Sequence, residues 1–254
     1  MNTGLYLSGL PVAIPECNIA ITPPTIREIC GQGEDDFFLN VQTFANAERT
    51  ADFVKQGNSR LENLSDFQIL VMMILEDDEF RGRIENFLSL IFPNYRCRFE
   101  PGSICFYADE GSSRILGQIN PYNFEAFQTV LSDLFLPKIG DYEEKDYNPV
   151  NERAAEIAEK LKKGNEIRRK IKQSEKGDAD NDESIFGTFT SVLAIGLQMD
   201  INVLYNYTPF QIFDAYKRYN MKQDFDLYRK IATTPLMDAS KIDEPKNWVG
   251  NIYK

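Results

Sequence analysis

The sequence predicts a mainly α protein with a small antiparallel β meander, an α+β chain whose C-terminal half is helical. Three observations predict it. Apolar residues recur at helical spacing over most of the length, capping-box tetrapeptides precede several of those stretches, and between residues 95 and 119 the period switches to alternation. At 254 residues, 43% hydrophobic and 26% charged, the chain carries enough apolar material for a sizeable core.

The first 22 residues read as short extended pieces, Leu5 to Leu7 and Ile19 to Ile21, divided by Gly9, Pro11 and Pro15. Thr25 with Glu28 makes a capping box, so Ile26 and Ile29 begin a short helix that Gly31 and Gly33 end. The next helix carries Phe37, Phe38, Val41 and Phe44 on one face. Ser65 with Gln68 opens another, whose Phe67, Leu70, Val71 and Ile74 form a core stripe. After the acidic run Glu76, Asp77, Asp78, Glu79, the residues Phe80, Ile84, Phe87, Leu88 and Ile91 define a helix that stops before Pro93. YRCRFE, ICFYAD and RILGQI are three alternating segments joined at Pro101-Gly102 and Glu110-Gly111, a meander inserted at 95–119. Asn120 and Pro121 then open a helix with Phe124, Phe127, Leu131, Leu134 and Phe135 inward.

A polar, tyrosine-rich stretch from Pro137 to Pro149 suggests a boundary between an N-terminal α+β domain, 1–138, and a helical C-terminal domain, 139–254. The second begins with a charged helix at 151–173. Residues 152–176 hold 9 basic and 5 acidic residues in an otherwise acidic chain, with i, i+4 pairs such as Glu156 with Lys160. Such a helix is a solvated connector, a protein-docking strip or, least in keeping with its lack of interleaved aromatics, a nucleic-acid contact. The acidic linker at 174–184 follows. Asp178, Asp180 and Asp182 alternate as in a calcium loop, but counting from Asp178 the glycine and glutamate positions of that loop hold Glu183 and Phe189. A hydrated linker ending in the helix cap Ser184 fits better. SIFGTFTSVLAIGLQM is then an apolar helix expected to be buried, and Thr208, Pro209 and Gln211 supply cap, first-turn proline and capping-box partner for the last long helix.

Chemistry is sparsely provided for. There is no histidine, which removes histidine triads and histidine general bases. Cys17, Cys30, Cys97 and Cys105 are separated within each pair by 12 and 7 residues, with no C-x-x-C knuckle, and read as reduced thiols. Glu76 to Glu79 are the one carboxylate cluster to weigh for a hydrolase, but acidic residues also belong at a helix start. No phosphate loop, dinucleotide fingerprint or nucleophile elbow is present. No catalytic residue, cofactor or metal is expected. The net charge of -11 disfavours nucleic acid as a partner, and neither a secretion signal nor a membrane span is expected.

PPTIREICGQGEDDFF near the N-terminus, NPVNERAAEIAEKLKKG, TPFQIFDAYKRY and the closing K-NW together resemble a group of tailed-phage proteins encoded near the tail tape-measure gene. That group is known as tail assembly chaperones, with some relatives described as baseplate or baseplate-hub proteins. The resemblance spans about half the chain. It implies a non-enzymatic tail-assembly role, with the tape-measure protein, baseplate or tail-tube proteins as partners, in the host cytoplasm during assembly or in the finished tail. Under that implication Phe210, Phe213 and Tyr216, on the last long helix, and Trp248, the one tryptophan, are the candidate partner contacts. The alternative it leaves open is a structural baseplate or hub component.

Overall fold

Local signals and non-local packing settle this fold in turn. The computed structural model describes residues 3–57, 61–136, 184–233, 245, 247–250 and 252–253. The charged helix at 151–173 and the linker at 174–184, except Ser184, lie outside the described residues.

Helix α1, Thr3–Ser8, is followed by a hairpin of β1, Val12–Ile14, and β2, Ile19–Ile21. Val12 pairs with Ile21 and Ile14 with Ile19. Leu5 to Leu7 are thus helical rather than extended. The short Leu-Tyr-Leu run has no period of its own, and Tyr6 is drawn onto Phe210 of a distant helix, ring centroids 5.4 Å apart. Five helices follow: α2, Ile26–Gln32; α3, Glu34–Ala45; α4, Ala47–Gly57; α5, Asp66–Glu76; and α6, Asp78–Ile91. Both predicted capping boxes form here, Thr25 with Glu28 and Ser65 with Gln68, each donating and accepting across the first turn. The meander is β3, Arg96–Glu100; β4, Ser103–Tyr107; and β5, Ile115–Ile119, antiparallel with β4 central. Helix α7, Phe124–Phe135, begins later than Asn120 and Pro121 suggest. Asn120 and Asn123 instead tie a turn, Asn123 Oδ1 accepting from the Asn120 amide at 2.7 Å.

These elements enclose a phenylalanine-rich core. Phe87 lies between Phe37 and Phe44, and Phe127 meets Phe44, Phe92 and Phe124, with centroids 5.5 to 6.3 Å apart. Three of these contacts are stacked, one is tilted and one is edge-on, and such pairs add to the area term that buries each ring. Gly117 of β5 lets the meander close on the hairpin, because a Cβ there would stand 2.5 Å from the Cys17 carbonyl oxygen.

The C-terminal helices are α8, Ile185–Leu197; α9, Ile201–Leu204; and α10, Pro209–Ala232. They pack on the rest through both backbone and side chains. The Ile26 and Arg27 amides donate to the Tyr207 and Tyr205 carbonyls at 2.8 and 2.9 Å, and Gln211 Nε2 donates to the Leu7 carbonyl at 2.7 Å. Glu34, in the first turn of α3, accepts from the Ser184 hydroxyl and from the Phe186 amide at the start of α8. One cluster of buried side chains consequently runs from Tyr6 to Phe213, across the 138/139 boundary.

Candidate functional site

The start of α10 is built as its sequence requires. Thr208 and Gln211 exchange hydrogen bonds, the Thr208 amide donating to Gln211 Oε1 at 2.8 Å, and Pro209 takes the first helical position. This fixes the rotation of α10 and with it the direction of every aromatic on it. Phe210, 1% exposed, sits between Tyr6 and Tyr253, each 5.4 Å away. Phe213, 5% exposed, sits between Phe186 and Phe189. Both rings therefore belong to the core, and a partner cannot reach them in this fold. The helical spacing that singled them out is the spacing of a buried stripe. Tyr216 is half-buried and stacked on Phe189 at 4.2 Å. Trp248 is half-buried too, its carbonyl accepting from Arg218 Nη1 at 2.7 Å.

The surface that the structure offers instead lies on α8 and α9. Only Phe186, Thr190 and Leu193 of α8 are buried. Ile185, Ile195 and Leu197 of α8, with Ile201 and Val203 of α9, are exposed, Ile195 by 81%. The helix was expected to be buried because it is apolar all round. It turns one side inward, against α10, and keeps the other in solvent. Its approach to α10 depends on Gly196, where a Cβ would meet the Tyr219 ring at 2.3 Å. Past the helix the apolar residues Leu197, Met199, Ile201 and Val203 alternate with Gln198, Asp200 and Asn202, a polar admixture that a fully buried segment would not carry.

The acidic run Glu76 to Glu79 serves the backbone. Asp77 Oδ1 caps α6, accepting from the Glu79 and Phe80 amides at 2.9 and 3.0 Å, and Asp78 pairs with Arg81. Burial is the main cause that raises all four thiols. Cys17 and Cys97 are pushed up to about 12, with Glu16 and Glu85 respectively adding to the rise, and Cys30 and Cys105 move in the same direction. These are protonated, weakly nucleophilic thiols at neutral pH. Among the described residues no cluster of acidic and thiol side chains is grouped to hold a metal ion, and no helix is long and apolar enough to cross a membrane.

Sequence reasoning missed a second feature, a cleft of about 330 Å³ where the α2–α3 junction faces α6. It is lined by Gly33, Asp36 and Asn40 on one side and by Arg83, Asn86 and Phe87 on the other. Residues more than forty positions apart make it, so no local pattern marks it. No protein-family model, curated protein or solved structure matches the chain.

Proposed function

We propose that this protein is a non-enzymatic tail-assembly protein of a tailed phage, which holds other tail polypeptides and the tape-measure protein first among them. The observation that carries the polypeptide-holding part is the exposed apolar surface of α8 and α9, Ile195, Leu197, Ile201 and Val203, on a chain of net charge -11. Exposed aliphatics of this kind suit an amphipathic helix of a partner laid along them, while the acidic remainder keeps the complex dispersed. The phage assignment is supported by the resemblance of the PPTIREIC, TPFQIFD and K-NW segments.

Of the four contacts first considered, Tyr216 and Trp248 keep accessible surface, and the α8–α9 residues take the place of Phe210 and Phe213. The test is co-purification with a tape-measure protein from the same source, using wild type and the double variant Ile195→Ser, Val203→Ser. Capture by the wild type and loss with the variant, at unchanged melting temperature, supports the proposal. No capture under conditions where both proteins stay dispersed overturns it. Mass spectrometry of purified particles separates a transient helper, absent from them, from a baseplate or hub component, abundant in them.

A further inference from the structure

The segment 248–253 meets α10 in the direction opposite to the helix, at Arg218 first, then Lys217, then Asp214 and Phe210. Two adjacent cations take its main chain. Arg218 Nη1 donates to the Trp248 and Gly250 carbonyls at 2.7 and 3.3 Å, and Lys217 Nζ donates to that of Ile252 at 2.9 Å. One side chain is held from several directions. Phe210 stacks on the Tyr253 ring, the Lys217 ammonium lies 5.0 Å from its centre, and the hydroxyl donates to Asp214 Oδ1 at 2.9 Å. Asp214 is 5% exposed, and its other oxygen accepts from Arg218 Nε at 2.9 Å, so the carboxylate that receives the tyrosine is itself fixed. Val249, by contrast, is 70% exposed. The site thus recognises main-chain carbonyls and one tyrosine, and asks little of the other side chains.

The covalent link does not impose this position. Ala232 lies fourteen residues beyond Arg218 on α10, about 21 Å along the helix. The sixteen residues from Ala232 to Trp248 can span roughly 50 Å. With that much slack the contacts select the position, and the same contacts can form with a segment that arrives from another molecule. Charge favours such an arrival: residues 246–254, KNWVGNIYK, contain two lysines and no acid, in a chain of net charge -11. The segment known to fit is this one, and a second copy carries it. Exchange keeps every contact in each copy and costs only the association itself. We propose that α10 takes residues 248–253 of a second copy in place of its own, so that two copies join by exchanging the segment and each supplies Tyr253 to the other's site. The exchange is independent of the α8–α9 surface and of the assembly role.

The test uses the full chain and a labelled synthetic peptide, KNWVGNIYK, followed by fluorescence anisotropy. The variant Tyr253→Ala withdraws the chain's own ring and should bind the peptide saturably. Wild type should bind it at least roughly tenfold more weakly, because its own segment competes at an effective concentration of about millimolar. A peptide carrying Tyr253→Phe loses the hydrogen bond to a charged acceptor and should bind the same protein roughly tenfold more weakly or worse. Since only the peptide changes in that comparison, a fold defect cannot mimic it; should Tyr253→Ala melt early, full-length Tyr253→Phe, which keeps the ring, takes its place. Light scattering on wild type alone should show the mass climbing above the monomer between about 10 μM and about 1 mM, and less so for Tyr253→Phe. No peptide binding, equal binding by wild type and Tyr253→Ala, or a mass that does not climb or climbs equally in Tyr253→Phe overturns the proposal. A scrambled peptide with its tyrosine in place that binds as well as KNWVGNIYK also overturns the second copy as occupant, and makes the site a general one for tyrosine-bearing segments.

Discussion

The core around Phe127 and the helix α8 are built from the same kinds of residue and come to opposite ends. Phe44, Phe87, Phe92 and Phe127 are each enclosed on all sides by α3, α6, α7 and the meander. On α8, as apolar a segment, Phe186 and Leu193 are enclosed while Ile185, Ile195 and Leu197 remain in solvent. Composition alone therefore does not decide burial; the number of neighbouring elements does. Three helices and a sheet surround the first region, whereas α8, among the described residues, has α9 and α10 beside it and meets the N-terminal side through Glu34 and Phe38. In the first region apolar residues stabilise the fold, and in the second they are left over for something else.

The contrast can be broken or sharpened by substitution. The largest effect is expected for Phe127→Ala, which removes a ring that meets three others and should cost about 3–5 kcal/mol in denaturant unfolding. If the loss were under about 1 kcal/mol, the enclosed region would not be the stable one. Gly196→Ala should cost on the order of 1–3 kcal/mol, since the new methyl group meets the Tyr219 ring, and should loosen α8 from α10. Gly82→Ala, also helical but with nothing within 4 Å of the new Cβ, should be neutral or mildly stabilising by the same assay. Thr208→Ala should cost about 1 kcal/mol by removing one arm of the capping box.

A pH series probes the join between the two regions. Burial, reinforced by Asp133, raises Tyr6 from 10.0 to about 12, and burial together with the hydrogen bond to Asp214 raises Tyr253 still further. A raised value in the folded state means the neutral hydroxyl is favoured there. This contribution is complete below the unfolded value of 10.0 and is lost as the pH rises through about 12. Alkaline unfolding followed by tyrosinate absorbance should show these two tyrosines ionising late, together with the loss of helical signal. The smallest effect is expected for Ile195→Ser, within about 0.5 kcal/mol in stability, because its side chain is already in water. A large destabilisation by this variant would mean that α8 is covered after all.

Much of this architecture was legible because its signals are local. Three capping boxes, at Thr25, Ser65 and Thr208, are each written within four residues, and each forms. The stripe of α5 and the alternation of the meander are equally short-range, and their inward residues Phe67, Leu70, Val71, Ile104 and Ile119 are buried as their periods require. What escaped depends on partners far along the chain. The helical form of α1 owes itself to Phe210 and Gln211, more than two hundred residues away. The partial exposure of α8 is set by how few elements reach it, and the Asn40–Arg83 cleft by the approach of α3 to α6. Phe210 and Phe213 illustrate the same limit from the other direction: their periodicity correctly marks one face, but only the tertiary fold says that this face is inside.

The last described residues close over α10. Tyr253 stacks on Phe210 and donates to Asp214 at 2.9 Å, Lys217 holds the Ile252 carbonyl, and Arg218 holds those of Trp248 and Gly250. Shortening the protein before residue 245 would thus unroof an aromatic ring and deprive a nearly buried carboxylate of one of its two donors. For anyone handling this molecule, a purification handle spliced in place of that ending is a structural mutation, and one appended beyond it is not equivalent.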